Sequence, residues 1–246
     1  MGRNLRTRGL ILHVYRVAEY HKGLVILSPE HGVLHATAFG AYKGKSRLSG
    51  VTEIFIEGDM RIYHDPVKDR YKVSEIYPVC VHEELRGQLE RYYTALFWSE
   101  LIMKSFAGGG NFTDLYDLAH RSLQLLDTAE RIDQLLIQFV WRFLDLTGFQ
   151  PDILNCGECG RQLERNESLF MQKGQLVGEG CGYEYGALRM TPAARNYLLH
   201  TSGVSLEKTT GVSIPSIESS ELKRLLLAYV EDVIGYPLMM LQKGLV

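Results

Sequence analysis

A chain of 246 residues is long enough for one large domain or two to three small ones. Its 46% hydrophobic and 23% charged residues suit a globular protein, and exclude a disordered or fibrous one. The net charge of −2 is unevenly spread: residues 1–47 hold eight Lys or Arg against Glu19 and Glu30, a balance of +6 that leaves −8 for the rest. A basic segment on an acidic body fits an anionic partner at one end, and fits an unevenly charged solvated surface as well.

The opening "MGRNLRTRGLILHVYRV" is basic and then apolar, but His13, Tyr15 and Arg16 interrupt the apolar part, so it fails as a secretory signal. Arg6 stands where a myristoylation signal needs Ser or Thr. No apolar run reaches the roughly 18 residues of a membrane span. Four cysteines, two of them in a Cys-x-x-Cys, fit a reducing compartment. The expectation is a cytosolic protein.

The first 80 residues predict strands. "TRGLILHVYRV", "GLVILSPE", "GVLHATAFGAY", "VTEIFIEGDMRIYH" and "RYKVSEIYPV" are rich in Val, Ile, Tyr and Thr. Turns fall at "SPEHG" and "HDPVKD". Five short strands predict a small barrel, most economically an OB-type one. "HEELRGQLERYYTALFWSELIMKSFA" then has helical spacing at Leu85, Leu89, Tyr92, Leu96, Trp98 and Ile102, and "GGGN" stops it. "NFTDLYDLAHRSLQLLD", capped by Asn111 or Thr113, and "TAERIDQLLIQFVWRFLDLTG", ending at Gly148, predict two more helices in a bundle. Trp98, Trp141, Phe97 and Phe143 read as core.

A knuckle region follows at about 151–190, with "KGQLVGEGCGYEYG" as a loose hairpin. Helix returns in "TPAARNYLLHT", with Thr191 as N-cap and Pro192 at the first helical position. "SSELKRLLLAYVEDVIG" is capped by Ser219 or Ser220, and "YPLMMLQKGLV" is an apolar tail. The fold class expected is α+β. A five-stranded OB-type barrel (1–80) precedes a helical domain (81–150 and 191–246) with an inserted zinc-knuckle-like segment (151–190).

Two constellations can carry chemistry. In "LNCGECG", Cys156 and Cys159 can aim two thiolates at one ion, with Gly157 and Gly160 allowing unusual dihedrals. Cys181 can add a third thiolate, and Glu184 stands at the matching offset for a fourth ligand. Structural zinc, a metal-free turn held by packing and a redox pair are all open readings. The absence of a βαβ context weighs against the last. A closed Cys-rich site gives a metal little Lewis acidity, which argues against catalytic zinc.

The second constellation is "AFGAYKGKSRLSG", with Lys43, Lys45 and Arg47 at alternate positions. In an extended segment alternation sends all three to one face. Gly40 and Gly44 let the backbone approach a ligand, Ser46 can donate to a phosphate, and Tyr42, Tyr15 and Phe39 can stack on a base. A solvated loop between strands is the plain alternative. Arg16 and the cluster of Arg3, Arg6 and Arg8 favour nucleic acid. The sequence has no Walker loop, dinucleotide fingerprint, His-Glu-x-x-His or nucleophile elbow.

The Arg8–Val17 strand, the "GA…KSRL" element from Gly40 to Leu48, the lead "LTGFQPDILNCGECG" and the C-terminal "LKRLLLAYVEDVIGYPLMMLQ" can be taken together. On them the chain resembles the RecO family of bacterial recombination mediators over nearly its whole length. The resemblance implies a non-enzymatic DNA repair protein in the cytoplasm, associated with the nucleoid. Such a protein binds single- and double-stranded DNA, anneals complementary strands and helps load recombinase onto gaps. It implies as partners the RecR protein and the acidic C-terminal tail of the single-stranded-DNA-binding protein. It assigns phosphate contacts to Lys43, Lys45 and Arg47, with Arg16 beside them. It also implies a structural zinc on Cys156, Cys159 and Cys181, where Glu184 replaces the usual fourth cysteine. The alternatives are an OB-fold DNA-processing enzyme, which would need clustered carboxylates or a catalytic lysine, and a scaffold that binds only proteins.

Overall fold

The computed structural model describes residues 4–105 and 111–246. Arg3 of the basic cluster and the glycines of "GGGN" lie outside the described residues. The chain divides into two compact units, residues 1–127 and 128–246.

In the first unit β1 (Asn4–Ala18), β2 (His21–Ser28), β3 (Gly32–Ala38), β4 (Glu57–Asp65) and β5 (Arg70–Cys80) close into a barrel. Its order is β1-β2-β3-β5-β4, the OB-type arrangement expected. The long β1 serves two neighbours. Asn4 to Leu10 pair with β4, Leu10 to Ala18 pair with β2, and register shifts bend the strand. A short parallel pairing, Ala36↔Tyr71 and Thr37↔Lys72, closes the barrel between β3 and β5. Ile11, Leu24, Ile26, Leu34, Ile56, Met60, Ile62 and Val73 belong to its buried core cluster.

Leu10, Ile11 and Leu12 are all buried, although alternate side chains of a strand point to opposite faces. The outer face is covered too: α2 (Leu89–Ser105) packs on β1 and α3 (Phe112–Leu126) on β2. Asn111 caps α3, accepting from the Asp114 N–H at 3.2 Å. The Phe112 ring lies so close to Gly32 (φ 69°) that a Cβ there would meet it at 2.7 Å.

Four expectations about element ends need correction. β3 stops at Ala38 and β4 starts at Glu57, so "VTEIFI" is not strand. Residues 51–56 turn back instead, with Phe55 N–H bonded to Ile11 O at 2.8 Å and the Phe55 ring buried. The long helix from "HEEL" is two: α1 (Glu83–Gly87) and α2 are separated by Gln88, whose backbone is extended. The hairpin of the knuckle region falls earlier, at β6 (Leu169–Gln172) and β7 (Gln175–Gly178). The last long helix begins before Ser219, which is buried inside it.

In the second unit α4 (Ile132–Leu146) packs on α7 (Ser216–Ile234), and α5 (Pro192–Ser202) also contacts α7. Trp141 and Phe143 on α4 are buried, as are Phe97 and Trp98 of the first unit. Thr191 caps α5, accepting from Ala194 N–H at 3.2 Å, with Pro192 in the first turn. Gly235, in the left-handed region, ends α7. β8 (Arg189–Met190) joins β6 and β7 in a three-stranded sheet, and short α6 (Leu206–Thr209) and α8 (Met239–Gln242) complete the unit. No helix among the described residues is long and apolar enough to cross a membrane.

Candidate nucleic-acid interface and metal centre

The loop from Phe39 to Ile56 carries the basic residues singled out in the sequence. It is not extended. Lys43 N–H bonds to Gly40 O at 2.9 Å, Ser46 N–H to Lys43 O at 2.9 Å, and Ser49 N–H to Ser46 O at 3.1 Å. These successive turns remove the alternation argument for a shared face. Lys43, Lys45 and Arg47 are nonetheless all exposed, because buried Ala41 and Leu48 plug the loop onto the barrel core. Lys22 locks the loop from below: its buried ammonium donates to Thr52 O at 3.2 Å and to the Glu53 carboxylate at 2.5 Å. Lys22 is therefore consumed by the fold.

The rim around this loop gathers aromatic rings and cations. The Arg16 guanidinium lies 5.4 Å from the Tyr42 ring, Lys43 lies 5.4 Å from Tyr20, and Lys72 lies 5.3 Å from Phe39. Tyr42 N–H bonds to Tyr20 O, and Gly40 N–H to His21 Nδ1, which joins the β1–β2 turn to the loop. Tyr15 is half-exposed and lies flat over Gly23, its cross-strand neighbour. Among the described residues no carboxylate pairs with Arg16, Lys43, Lys45 or Arg47. Sequence reasoning named Tyr15, Phe39 and Tyr42 but missed Tyr20 and Lys72. Only the return of the chain brings those two to the rim.

The other half of the basic N-terminal count sits elsewhere on the barrel. Arg8 on β1 pairs with Asp59, its register partner on β4, at 2.8 Å, and approaches the buried Glu57 at 3.6 Å. Hydrogen bonding and attraction from Asp59 outweigh burial and raise its pKa. Arg61 pairs with Glu75 at 2.9 Å. Arg8, Asp59 and Arg61, with exposed Arg6, Tyr77 and Glu30, line an open cleft of about 540 Å³. Glu57 also accepts from the Tyr116 hydroxyl and His120 Nδ1, each at 2.6 Å. Burial and the Glu57 carboxylate push the Tyr116 phenol well above its ordinary pKa.

In the second unit the thiols of Cys156, Cys159 and Cys181 all lie within 4.8 Å of one another. Cys156 and Cys181 are 3.6 Å apart, and Cys159 and Cys181 are 3.3 Å apart, so they are free thiols rather than disulfides. A tetrahedral zinc with bonds of about 2.3 Å holds its sulfurs about 3.8 Å apart. The three thiols thus fit three corners of such a site. The turn that presents them is held by Cys156 N–H to Arg161 O at 2.9 Å and Gly160 N–H to Cys156 O at 2.8 Å. Gly160 needs its φ of 70°, but Gly157 does not have positive φ. A Cβ there would lie about 3.1 Å from Leu176 O, a tight contact that glycine avoids.

Within the cluster Cys156 is the thiol set up for negative charge. Burial alone would raise the Cys156 thiol, but the backbone N–H groups of Gly178, Cys159 and Glu158 outweigh it and bring it to about 6. Cys181 is pushed up to about 12 by its hydrogen bonds to Cys159 and Cys156. The Arg161 guanidinium, gripped by Glu167, lies beside the thiols and attracts their charge. Arg161 follows the knuckle directly in "CGECGR", so its place was readable. Arg195 was not: from α5 its buried guanidinium donates to Ile153 O and Glu164 O, each at 2.6 Å, and fastens the knuckle to the helix. Glu184 is exposed, and its carbonyl accepts from Ala187 N–H in a turn. Its carboxylate is not within the three-thiol group.

The family models described as Recombination protein O N terminal and Recombination protein O C terminal match residues 1–79 and 86–242. The chain belongs to the Recombination protein O family. Among its relatives, the DNA repair protein RecO of Roseiflexus sp. (strain RS-1) is 26% identical over 231 residues, 93% of this chain and 81% of its own length. That of Desulforamulus reducens is 25% identical over 224 residues, 90% of this chain and 86% of its own. That of Synechococcus elongatus is 29% identical over 158 residues, 63% of this chain. The alignment spans 59% of the Synechococcus relative's length. Both family models find their counterpart in the observed order, a barrel followed by helices with the thiol cluster among them.

Proposed function

We propose that this protein is a DNA repair and recombination mediator that binds single- and double-stranded DNA through the barrel rim. It anneals complementary strands and helps load recombinase onto gaps coated with single-stranded-DNA-binding protein, without catalysing a covalent step. The observation that carries the reading is the set of unneutralised cations, Arg16 on β1 and Lys43, Lys45 and Arg47 on the loop pinned to an OB-type barrel. Phosphate contacts hold a strand without reading its sequence, as annealing requires. Relatives named DNA repair proteins support it.

The test is a salt titration of oligonucleotide affinity. Contact with roughly four to six phosphates gives a log–log slope of about −3 to −5. Replacing Lys43, Lys45 and Arg47 by Gln is expected to flatten it by about 2. An unchanged slope would put the site elsewhere. Cleavage of labelled DNA in the presence of Mg²⁺ would replace the mediator with an enzyme.

In this reading residues 1–80 grip DNA, while 81–150 with 191–246 form the partner-binding helical domain. The knuckle, 151–190, is its clasp. The acidic tail of the single-stranded-DNA-binding protein would suit an open cleft of about 440 Å³, lined by apolar Leu163 and Leu199 and by Arg165 and His200. The RecR protein is the other expected partner, and the setting is the nucleoid. Cys156, Cys159 and Cys181 would hold one structural zinc, which supplies cross-linking and no Lewis-acid chemistry. Glu184 is the residue in reach by sequence for the fourth position. Elemental analysis of protein purified without chelator is expected to give about one zinc per chain, with weaker retention in Glu184→Ala. No metal in the wild-type protein would leave a packed, metal-free turn.

A further inference from the structure

The rim offers more than charge. Tyr20, Phe39 and Tyr42 are large rings left 44%, 48% and 45% exposed, and they stand within one small region of the barrel end. Water contact on half of a ring is costly unless something covers it. Each ring has a cation 5.1–5.4 Å from its centre. The rings are also held in place. Phe39 is braced edge-on by His21, at 4.8 Å between centroids. Tyr42 hangs from the Tyr20 carbonyl by its own N–H and lies 5.1 Å from the buried Lys22 ammonium. The neighbouring Glu19 raises the pKa of the Tyr20 phenol.

Fixed rings interleaved with cations are what a strand of unpaired nucleotides recognises. Phosphates meet the cations, and bases, which have two apolar faces, lie on the rings. A duplex can satisfy only the cations, because its bases are already stacked on one another. An apolar protein partner would satisfy the rings but leave Lys43, Lys72 and Arg16 facing it unpaired.

We propose that Tyr20, Phe39 and Tyr42 form a base-stacking platform that makes the barrel rim selective for single-stranded nucleic acid over duplex. This rests on the reading of the rim as a DNA-binding surface and adds the side chains that decide which form is held. Stacking has a consequence for annealing. Bases on the platform are withheld from pairing, so the grip must be loose enough to release them.

The experiment separates bases from phosphates. Fluorescence anisotropy with the full chain compares three probes: a base-bearing oligonucleotide, one of the same length and charge built from abasic sugar phosphates, and the duplex. The base-bearing strand is expected to bind roughly tenfold or more tightly than the abasic one, with the same salt slope. Phe39→Leu and Tyr20→Leu, each at an exposed position, are expected to weaken the base-bearing strand roughly five- to tenfold while the abasic strand is unchanged. Lys72→Gln serves as the contrast and should weaken both equally. Equal affinity for the two strands overturns the platform. So does an equal loss on both in the leucine variants, since the rings would then merely support the loop. If neither strand nor duplex is retained at low salt, the DNA-binding reading falls and the platform with it.

Discussion

Two basic patches of the barrel are built from the same residue types and differ in what faces them. On the rim, Arg16, Lys43 and Lys72 lie over aromatic rings, which attract a cation without cancelling its charge. On the outer face of β1, β4 and β5, Arg8 and Arg61 lie against Asp59, Glu57 and Glu75, which do cancel it. The +6 balance of the first 47 residues therefore overstates the charge available to a ligand, since Lys22 is spent on Glu53 and Arg8 on Asp59. Partners, rather than counts, separate a binding surface from a structural one.

The largest effect is expected at Glu57, beneath the outer patch. Replacing this buried carboxylate with Ala leaves the Tyr116 hydroxyl and His120 without their acceptor and Arg8 with one partner fewer. The expected cost is about 3 kcal/mol of stability, read from urea unfolding. The folded fraction should keep its salt slope for DNA. A loss of binding without loss of stability would make the outer face a ligand site.

A smaller effect is expected from the carboxylates that hold the outer arginines. If Arg8 and Arg61 are silent because carboxylates hold them, Asp59→Ala with Glu75→Ala should free them. The salt slope is then expected to steepen by about 1. Glu83→Ala with Glu84→Ala makes the same change in net charge at exposed carboxylates that hold neither Arg8 nor Arg61, and should leave the slope alone. Equal steepening in both would mean that overall charge, and not pairing, governs the surface.

The smallest effect is a pH dependence at Glu30, on the rim of the outer cleft. Burial works against its ionised form, but hydrogen bonds from Thr7, its own N–H and Ser28 outweigh it and lower its pKa. A lowered folded pKa contributes stability that is complete at neutral pH. That contribution is lost as pH falls from the ordinary carboxylate range through the depressed value. Glu30→Gln should therefore lie slightly below the wild type at pH 7 and converge with it once the pH has fallen below the depressed value. A gap that persists in acid would mean that the glutamate acts through packing.

Much of this was legible in the chain. The five strands, the Thr191–Pro192 helix start and the Gly148 and Gly235 helix ends follow from local rules, because alternation, capping and positive φ act within a few residues. The Cys-x-x-Cys turn and its third thiol were readable for the same reason: side chains that must converge on one ion keep fixed local spacing. Local rules failed where a distant segment overrode them. "VTEIFI" has the composition of a strand, but Phe55 and Ile56 are claimed by Ile11, and the segment turns. The alternation of Lys43, Lys45 and Arg47 implied one face, yet Ala41 and Leu48 are drawn into the core and coil the loop.

The order of the parts, the family and the residue types at each site are written in the residue order alone. Tertiary structure alone decided which of those residues are free to act. It assigned Lys22 and Arg8 to carboxylates and Arg195 to the carbonyls around the knuckle. It brought Tyr20 and Lys72 to the rim and left the Glu184 carboxylate outside the thiol group. The reason is physical: propensity and spacing act over a turn or two of chain. Whether a charge is neutralised depends on what lies within a few ångströms in space, and here that is set by strands up to 51 residues apart.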